Sequence, residues 1–276
     1  MAPNHNNHHQ IRALEQSLSA RFGWQTNAHW RDGLLEAVKK KSEKLRFDED
    51  AYCRMAIGST GELEALAEMV ANGETRFFRE PEQFEALRES VIPELMSLRA
   101  REKKLDLWSA ACSTGEEAYS LAILLSEAAP ESEHWKMKLL ATDLRASAIV
   151  RASRGSFPAS SVKAVSRSLR NRHFIKSDGN GSYDVTADLK KMISFRRANL
   201  YDPKFWDSSR HQFDLILCNN LLVYFHALAV KQTVDRLADS LRTGGLLMVM
   251  SSEASYVHHQ QMKLDRSLAG SFFRKI

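Results

Sequence analysis

The segment LWSAACSTGEEAYSLAILL, Leu107 to Leu125, joins a strand-like run to an amphipathic helical run. The turn between them holds one glycine, Gly115, and two acids, Glu116 and Glu117, open the helix. A phosphate-binding turn at such a place needs several glycines, so that backbone N–H groups can approach the anion. Carboxylates at a helix start suit the helix dipole, but they repel a pyrophosphate. The loop therefore fits a nucleoside cofactor that carries positive charge and no phosphate. S-adenosylmethionine (SAM), with its α-ammonium and its sulfonium, meets that description.

Further residues extend the constellation. Asp143 ends the run KLLATD, about one βαβ step later. An acid there can accept both ribose hydroxyls, as in dinucleotide folds. It can also be the N-cap of the following helix. Beside the acid-rich first loop, ribose binding is the favoured reading. Asn199-Leu200 follows ISFRRA and forms an adenine-side loop at a strand end. Asn219-Asn220 leave the run Phe213–Cys218 and offer both donors and acceptors, with a plain turn as the alternative. Tyr224 and Phe225 read by themselves as core aromatics. Glu116 is expected to face solvent or to cap its own helix.

These residues need elements to position them. Residues 11–90 read as helical, with Ile11, Leu14, Leu18 and Phe22 at helical spacing and Gly23 as a stop. A second helix carries Leu34, Leu35, Val38 and Leu45, and a third carries Leu63, Leu66, Met69 and Val70. From about residue 105 strands alternate with helices, which implies an α/β fold with a doubly wound, mostly parallel sheet. Gly244-Gly245 is expected to end the helix from Ala229. In residues 172–198 the cluster DGNG lies between short strand-like runs, a hairpin signal, so this segment reads as a small antiparallel insertion. Residues 1–10 are polar and read as a disordered tail.

Composition bounds the function. The chain has 276 residues, 43% hydrophobic and 26% charged, with a formal net charge of +5. No apolar run approaches the roughly 20 residues that span a bilayer. The three cysteines form no CxxC, which fits a reducing, cytoplasmic compartment. His258 and His259 are adjacent and have no HExxH around them, so no metal is predicted. The basic balance favours an acidic partner. Lys39, Lys40, Lys41, Lys44 and Arg46 on the second helix are either a solvated face or a docking surface for one.

The motifs GETRFFRE, WSAACSTGEEAYSLA, ATDLRASAIVRASRGSF, RANLYDP and CNNLLVYF, in that order, resemble the CheR family of chemotaxis protein-glutamate O-methyltransferases. The resemblance covers residues 11–276. It implies a helical N-terminal domain (11–90) that docks receptors, and a Rossmann-like, class I SAM-dependent methyltransferase domain (91–276) with a β-subdomain inserted (172–198). It implies that Thr75 and Arg79 contact SAM, that Glu117 binds its methionine portion and that Asp143 binds its ribose. Asn199, Leu200, Asn219 and Asn220 would line the adenosine side. Arg79 and Tyr224 would assist methyl transfer, with S-adenosylhomocysteine as product. Phe77 and Phe78 would seat the linker against the catalytic domain. Ser251, Ser252 and Glu253 follow the strand-like run Leu246–Met250 and by that position are expected to border the substrate opening.

The implied partners are the cytoplasmic methylation helices of chemoreceptors, docked on the basic helix by a monomer, with no nucleic acid and no membrane insertion. The family usually reads NETxFFR and CRN where this chain has Gly73, preceded by Asn72, and Asn219. The turn Ser177 to Ser182 looks short for tethering a receptor tail. Two other readings stand beside this one: a class I methyltransferase with another substrate, and a non-catalytic SAM-binding regulatory protein.

Overall fold

The structure is a computed structural model that describes residues 5–71, 73–129, 135–177, 181–207 and 213–276. Four helices open the chain: α1 (His5–Phe22), α2 (Ala28–Leu45), α3 (Glu49–Ile57) and α4 (Thr60–Val70). Asn27, Asp48 and Ser59 cap the last three, each side chain accepting a backbone N–H three residues on. Leu14, Leu18, Phe22, Leu34, Val38, Tyr52 and Leu66 form the buried interior of this bundle. The tail expected at residues 1–10 is helical from His5 on. An anchored apolar stripe lets a helix propagate toward its N-terminus without a new nucleus. Helix α3 was not anticipated, because its nine residues bury only Tyr52, Cys53 and Ala56, too few for a legible period.

The expected boundary at residue 90 also moves. Helix α5 (Pro81–Ala86), a π-helical turn (Leu87–Val91) and α6 (Ile92–Leu98) run on from one another. Phe84, Leu87, Val91, Ile92 and Leu95 pack in one core with Leu105, Leu107 and Leu215 of the sheet. They belong to the α/β unit, so the boundary falls near residues 71–76. Helical periodicity shows that a face is apolar, not which core receives it.

The α/β unit begins with β1 (Lys104–Ala110), α7 (Glu116–Ala128), β2 (Lys136–Asp143) and α8 (Ala146–Arg154). It continues through β3 (Ser156–Pro158), α9 (Arg167–His173), β4 (Phe174–Lys176), β5 (Ser182–Val185), α10 (Ala187–Met192), β6 (Ile193–Arg197) and α11 (Pro203–Asp207). It ends with β7 (Phe213–Leu217), α12 (Ala227–Ser240), β8 (Leu241–Val249), β9 (Met262–Leu264) and β10 (Ser271–Lys275). The main sheet has the order β6-β2-β1-β7-β8-β10-β9. The first five strands are mutually parallel, and β10 pairs antiparallel with both β8 and β9. The order reverses beside β1, where open α/β sheets bind ligands.

Two local expectations are corrected. The small antiparallel sheet has the order β3-β5-β4 and so spans residues 156–185, not 172–198. The run ISFRR is β6, which pairs parallel with β2 at the edge of the main sheet. Its alternation is that of any half-buried strand, and the choice of sheet is tertiary. Of the DGNG turn, Asp178, Gly179 and Asn180 lie outside the described residues. Gly244-Gly245 sits inside β8, beside a register shift against β7, rather than ending α12.

The helical bundle is clamped to the sheet at the strand ends. The connector after α1 bridges to the segment after β7: Trp24 pairs with Phe225, and the Gln25 amide donates to the Tyr224 carbonyl at 2.8 Å. The His226 amide donates to the Gly23 carbonyl at 2.9 Å. The Asn199 side chain donates to the Arg21 carbonyl at 2.9 Å.

Candidate functional site

Every residue that the sequence assigned to cofactor or reaction lines one cavity of about 460 Å³. Its floor is the set of parallel strand ends and its far wall is α2, through Trp30, Gly33 and Glu36. The volume lies in the ordinary range for small-molecule sites, about 300–1,000 Å³.

The loop after β1 is bent by three left-handed residues in five: Ala111 (φ 65°), Ser113 (φ 50°) and Gly115 (φ 98°). Ala111 and Ser113 lack the freedom of glycine, so the surrounding structure must hold them there. Gly115 is needed twice over, since a Cβ on it would also lie 2.9 Å from the Ala152 Cβ of α8. Glu116 is buried and accepts the Thr114 hydroxyl at 2.6 Å. That corrects the expectation that it faces solvent: the bent loop turns the helix start inward.

Glu117 is fixed from both sides. Ser109 Oγ donates to one carboxylate oxygen at 2.7 Å and Asn219 Nδ2 to the other at 2.8 Å. Burial pushes its carboxyl up, while the Ser109 and Asn219 hydrogen bonds and the charge of Arg79 pull it down. Asn219 Oδ1 is buried without a hydrogen-bond partner in the protein. A buried acceptor left unpaired costs about 1–3 kcal/mol. A carboxylate and an orphan amide oxygen side by side ask for a cationic multiple donor, and the α-ammonium of SAM is one. The cavity residues thus fit SAM. Asn219, expected on the adenosine side, is hydrogen-bonded to Glu117.

Asp143 stands at the end of β2 and is 8% exposed. Its carboxylate accepts the Ser113 amide at 2.8 Å and the Arg145 amide at 2.9 Å. The Arg145 guanidinium lies 3.6 Å away. Burial pushes its carboxyl up, and these three neighbours oppose the shift. Each oxygen keeps lone-pair capacity for a ribose hydroxyl.

The Asn199 side chain is committed to the Arg21 carbonyl and the Tyr201 amide, so it shapes the loop. Leu200 adds an apolar wall, 5% exposed. Asn220 is left-handed (φ 57°), and its amide donates to Glu253 at 2.7 Å. Glu253 is 1% exposed and also accepts the Val223 amide at 3.1 Å. It is therefore the anchor of the loop carrying Asn219 and Tyr224, not a border of the opening. Thr75, Arg79 and Tyr224 complete the lining, and Arg79 donates to the Glu74 carbonyl at 3.0 Å. Phe77 is fully buried between Phe157 and Phe174, at 4.9 and 5.3 Å, and so seats the linker on the small sheet.

Residues 73–268 match the family described as CheR methyltransferase, SAM binding domain. This chain belongs to the CheR family. SAM is accordingly the cofactor of the domain that holds this cavity. Among the relatives of this CheR-family chain is the probable biofilm formation methyltransferase WspC of Pseudomonas aeruginosa. It is 32% identical over 91% of this chain and 58% of its own length. Chemotaxis protein methyltransferase 2 of Vibrio cholerae is 33% identical over 70% of this chain and 66% of its own length. The chemotaxis protein methyltransferase of Listeria innocua is 36% identical over 69% of each. The chain thus spans less than two thirds of the first two relatives.

Ser109 and Arg145 are site residues that sequence reasoning left without a role, and Glu253 is one that it placed at the substrate opening instead of under the 219–224 loop. Ser109 lies inside β1, and Glu253 lies four residues past the end of β8. Only their proximity to Glu117 and to the 219–224 loop gives them meaning. Among the described residues no helix is long and apolar enough to cross a membrane.

Proposed function

We propose that this CheR-family protein transfers a methyl group from SAM to glutamate side chains of chemoreceptors, forming methyl esters for adaptation in a chemosensory pathway. The observation that carries the reading is the division of charge inside one cavity. Glu117 and Asp143 suit a cationic nucleoside, while the Arg79 guanidinium suits an anionic acceptor.

SAM, when bound, would supply a sulfonium methyl carbon for in-line attack by a carboxylate oxygen, the carbon–sulfur bond breaking to give an ester and S-adenosylhomocysteine. A glutamate is already ionised at neutral pH, so this chain need not provide a general base. Its work is alignment and exclusion of water. Glu117 and Asn219 hold the ammonium, Asp143 holds the ribose, and Leu200 packs on the adenine side. Thr75 and Arg79 approach from the linker. Arg79 keeps the incoming carboxylate in place without taking its charge, and the Tyr224 hydroxyl orients its oxygen.

The test uses methyl-labelled SAM and a receptor cytoplasmic fragment. The expected result is label on the fragment that mild alkali releases as methanol and that is absent when the acceptor glutamates are alanines. Alkali-stable label, or label on nucleic acid or a small molecule instead, would overturn the reading.

Docking follows from α2. Gly33, Glu36, Lys40 and Lys44 succeed one another at three- and four-residue steps, so one stripe leads from the cavity wall to a basic surface. Lys40 neutralises Glu36 at 2.7 Å. Lys41 turns inward to Glu62 at 2.9 Å, which removes it from the expected docking set. Lys39, Lys44 and Arg46 are exposed. Reversing Lys39 and Lys44 to Glu should lower the rate on the receptor fragment about tenfold at low salt, mainly through slower encounter. The difference should shrink as salt rises, and an unchanged rate at low salt would remove α2 as the docking surface.

A further inference from the structure

We infer that Gly73 and Arg145 are a matched pair in the cofactor wall: Arg145 is a positioning residue for Asp143 and the Ala111–Gly115 loop, and it fits there only because residue 73 has no side chain. The inference rests on the reading of the cavity as the SAM site.

The geometry is one closed network. A Cβ on Gly73 would lie 2.2 Å from Arg145 Nη2 and 2.4 Å from Nη1. The guanidinium therefore fills the volume that a side chain at 73 would take. Arg145 Nη2 donates to Ser113 Oγ at 2.9 Å, and that hydroxyl donates to the Gly73 carbonyl at 2.9 Å. The amides of Ser113 and Arg145 both donate to Asp143. Three segments distant in sequence, the linker, the first loop and the end of β2, are joined around one carboxylate.

Residue 145 is free for this work because another element caps its helix. It stands at the N-cap position of α8, where a short polar side chain would ordinarily accept the first amides, yet its side chain makes no cap. Glu68, from α4 of the helical bundle, accepts the Ala146 amide, the Ser147 amide at 3.3 Å and the Ser147 hydroxyl at 2.5 Å. The cap arrives from the helical bundle, and the arginine turns into the wall.

The consequence is electrostatic as well as steric. Asp143 is buried, and burial disfavours its charge. A guanidinium at 3.6 Å opposes that shift and favours the charged form. A planar fork that serves Ser113 and faces Asp143 at once is a task for Arg more than for Lys.

The experiment is calorimetric titration of the full chain with S-adenosylhomocysteine and with 5′-methylthioadenosine, which keeps the ribose and lacks the amino-acid end. The proteins are wild type, Arg145→Ala, Arg145→Gln, Arg145→Lys, Gly73→Ala and the double variant Gly73→Ala/Arg145→Ala, each with the melting temperature of the cofactor-free protein. Arg145→Ala is expected to weaken both ligands about tenfold or more, with Arg145→Lys recovering part of the loss. Gly73→Ala is expected to weaken binding about tenfold in the presence of Arg145 and not at all in its absence. Should Arg145→Ala fail to fold, Arg145→Gln carries the same expectation with less loss of volume. Affinity within twofold of wild type in Arg145→Ala and Arg145→Gln, losses confined to S-adenosylhomocysteine, or additive effects at 73 and 145 would each overturn the pair. Absence of binding by wild type would instead overturn the SAM reading on which the pair rests.

Discussion

Asp143→Ala is expected to lower the affinity for SAM and S-adenosylhomocysteine by at least about 100-fold. Two hydroxyl bonds to a charged acceptor are worth about 1.5–3 kcal/mol each, and a factor of ten is about 1.4 kcal/mol. The substitution does further damage, since the Ser113 and Arg145 amides lose their acceptor and the left-handed loop loses its tether. The pH dependence has a definite sign. Ribose hydroxyls donate to the ionised carboxylate, so binding is strong above the carboxyl's pKa in the free protein and weakens as pH falls through it. Burial places that pKa above the usual aspartate range. Affinity should therefore begin to fall at a pH where an exposed aspartate would still be fully charged. Titration calorimetry of wild type and Asp143→Ala from pH 8 downward checks both statements. A loss of less than about fivefold in the variant would take the ribose contact away from Asp143.

Glu253→Ala is expected to cost about 2–4 kcal/mol of stability and most of the methyl-transfer rate. The carboxylate is almost wholly buried, and it accepts the amides of Asn220 and Val223. The Leu221 and Leu222 amides also stabilise its charge. Removing it leaves several inward-facing donors unpaired, at about 1–3 kcal/mol for each that water cannot reach. The loop it holds carries Asn219 against Glu117 and Tyr224 at the cavity wall. Loosening that loop should raise the SAM dissociation constant and lower turnover together, in contrast to Tyr224→Phe, which should spare cofactor binding. Glu253→Gln keeps the shape and one acceptor oxygen, so it should fall between wild type and alanine in both respects. Thermal melts with SAM titrations decide the matter. A Glu253→Ala protein as stable as wild type would show that water replaces the carboxylate at those amides.

Much of this site was legible in residue order because its chemistry is local. One glycine and two acids after a strand exclude a phosphate, and an acid at the next strand end is placed by the βαβ repeat itself. Glu117 and Asp143 line one cavity with residues whose roles came from the family resemblance, such as Thr75, Arg79 and Tyr224. The alternation of strands and helices determined the parallel sheet, because period and element length are written in the chain. What tertiary structure decided are the matters in which distant segments compete for the same space. The helices of residues 81–98 joined the sheet rather than the bundle, and the ISFRR strand joined the main sheet rather than the small one. Asn219 turned to Glu117, Glu116 turned inward, and Lys41 turned to Glu62. Arg145 entered the wall because Gly73 left room and Glu68 took over the helix cap. A buried polar group must find a partner wherever the fold offers one, and that partner has no fixed distance along the chain.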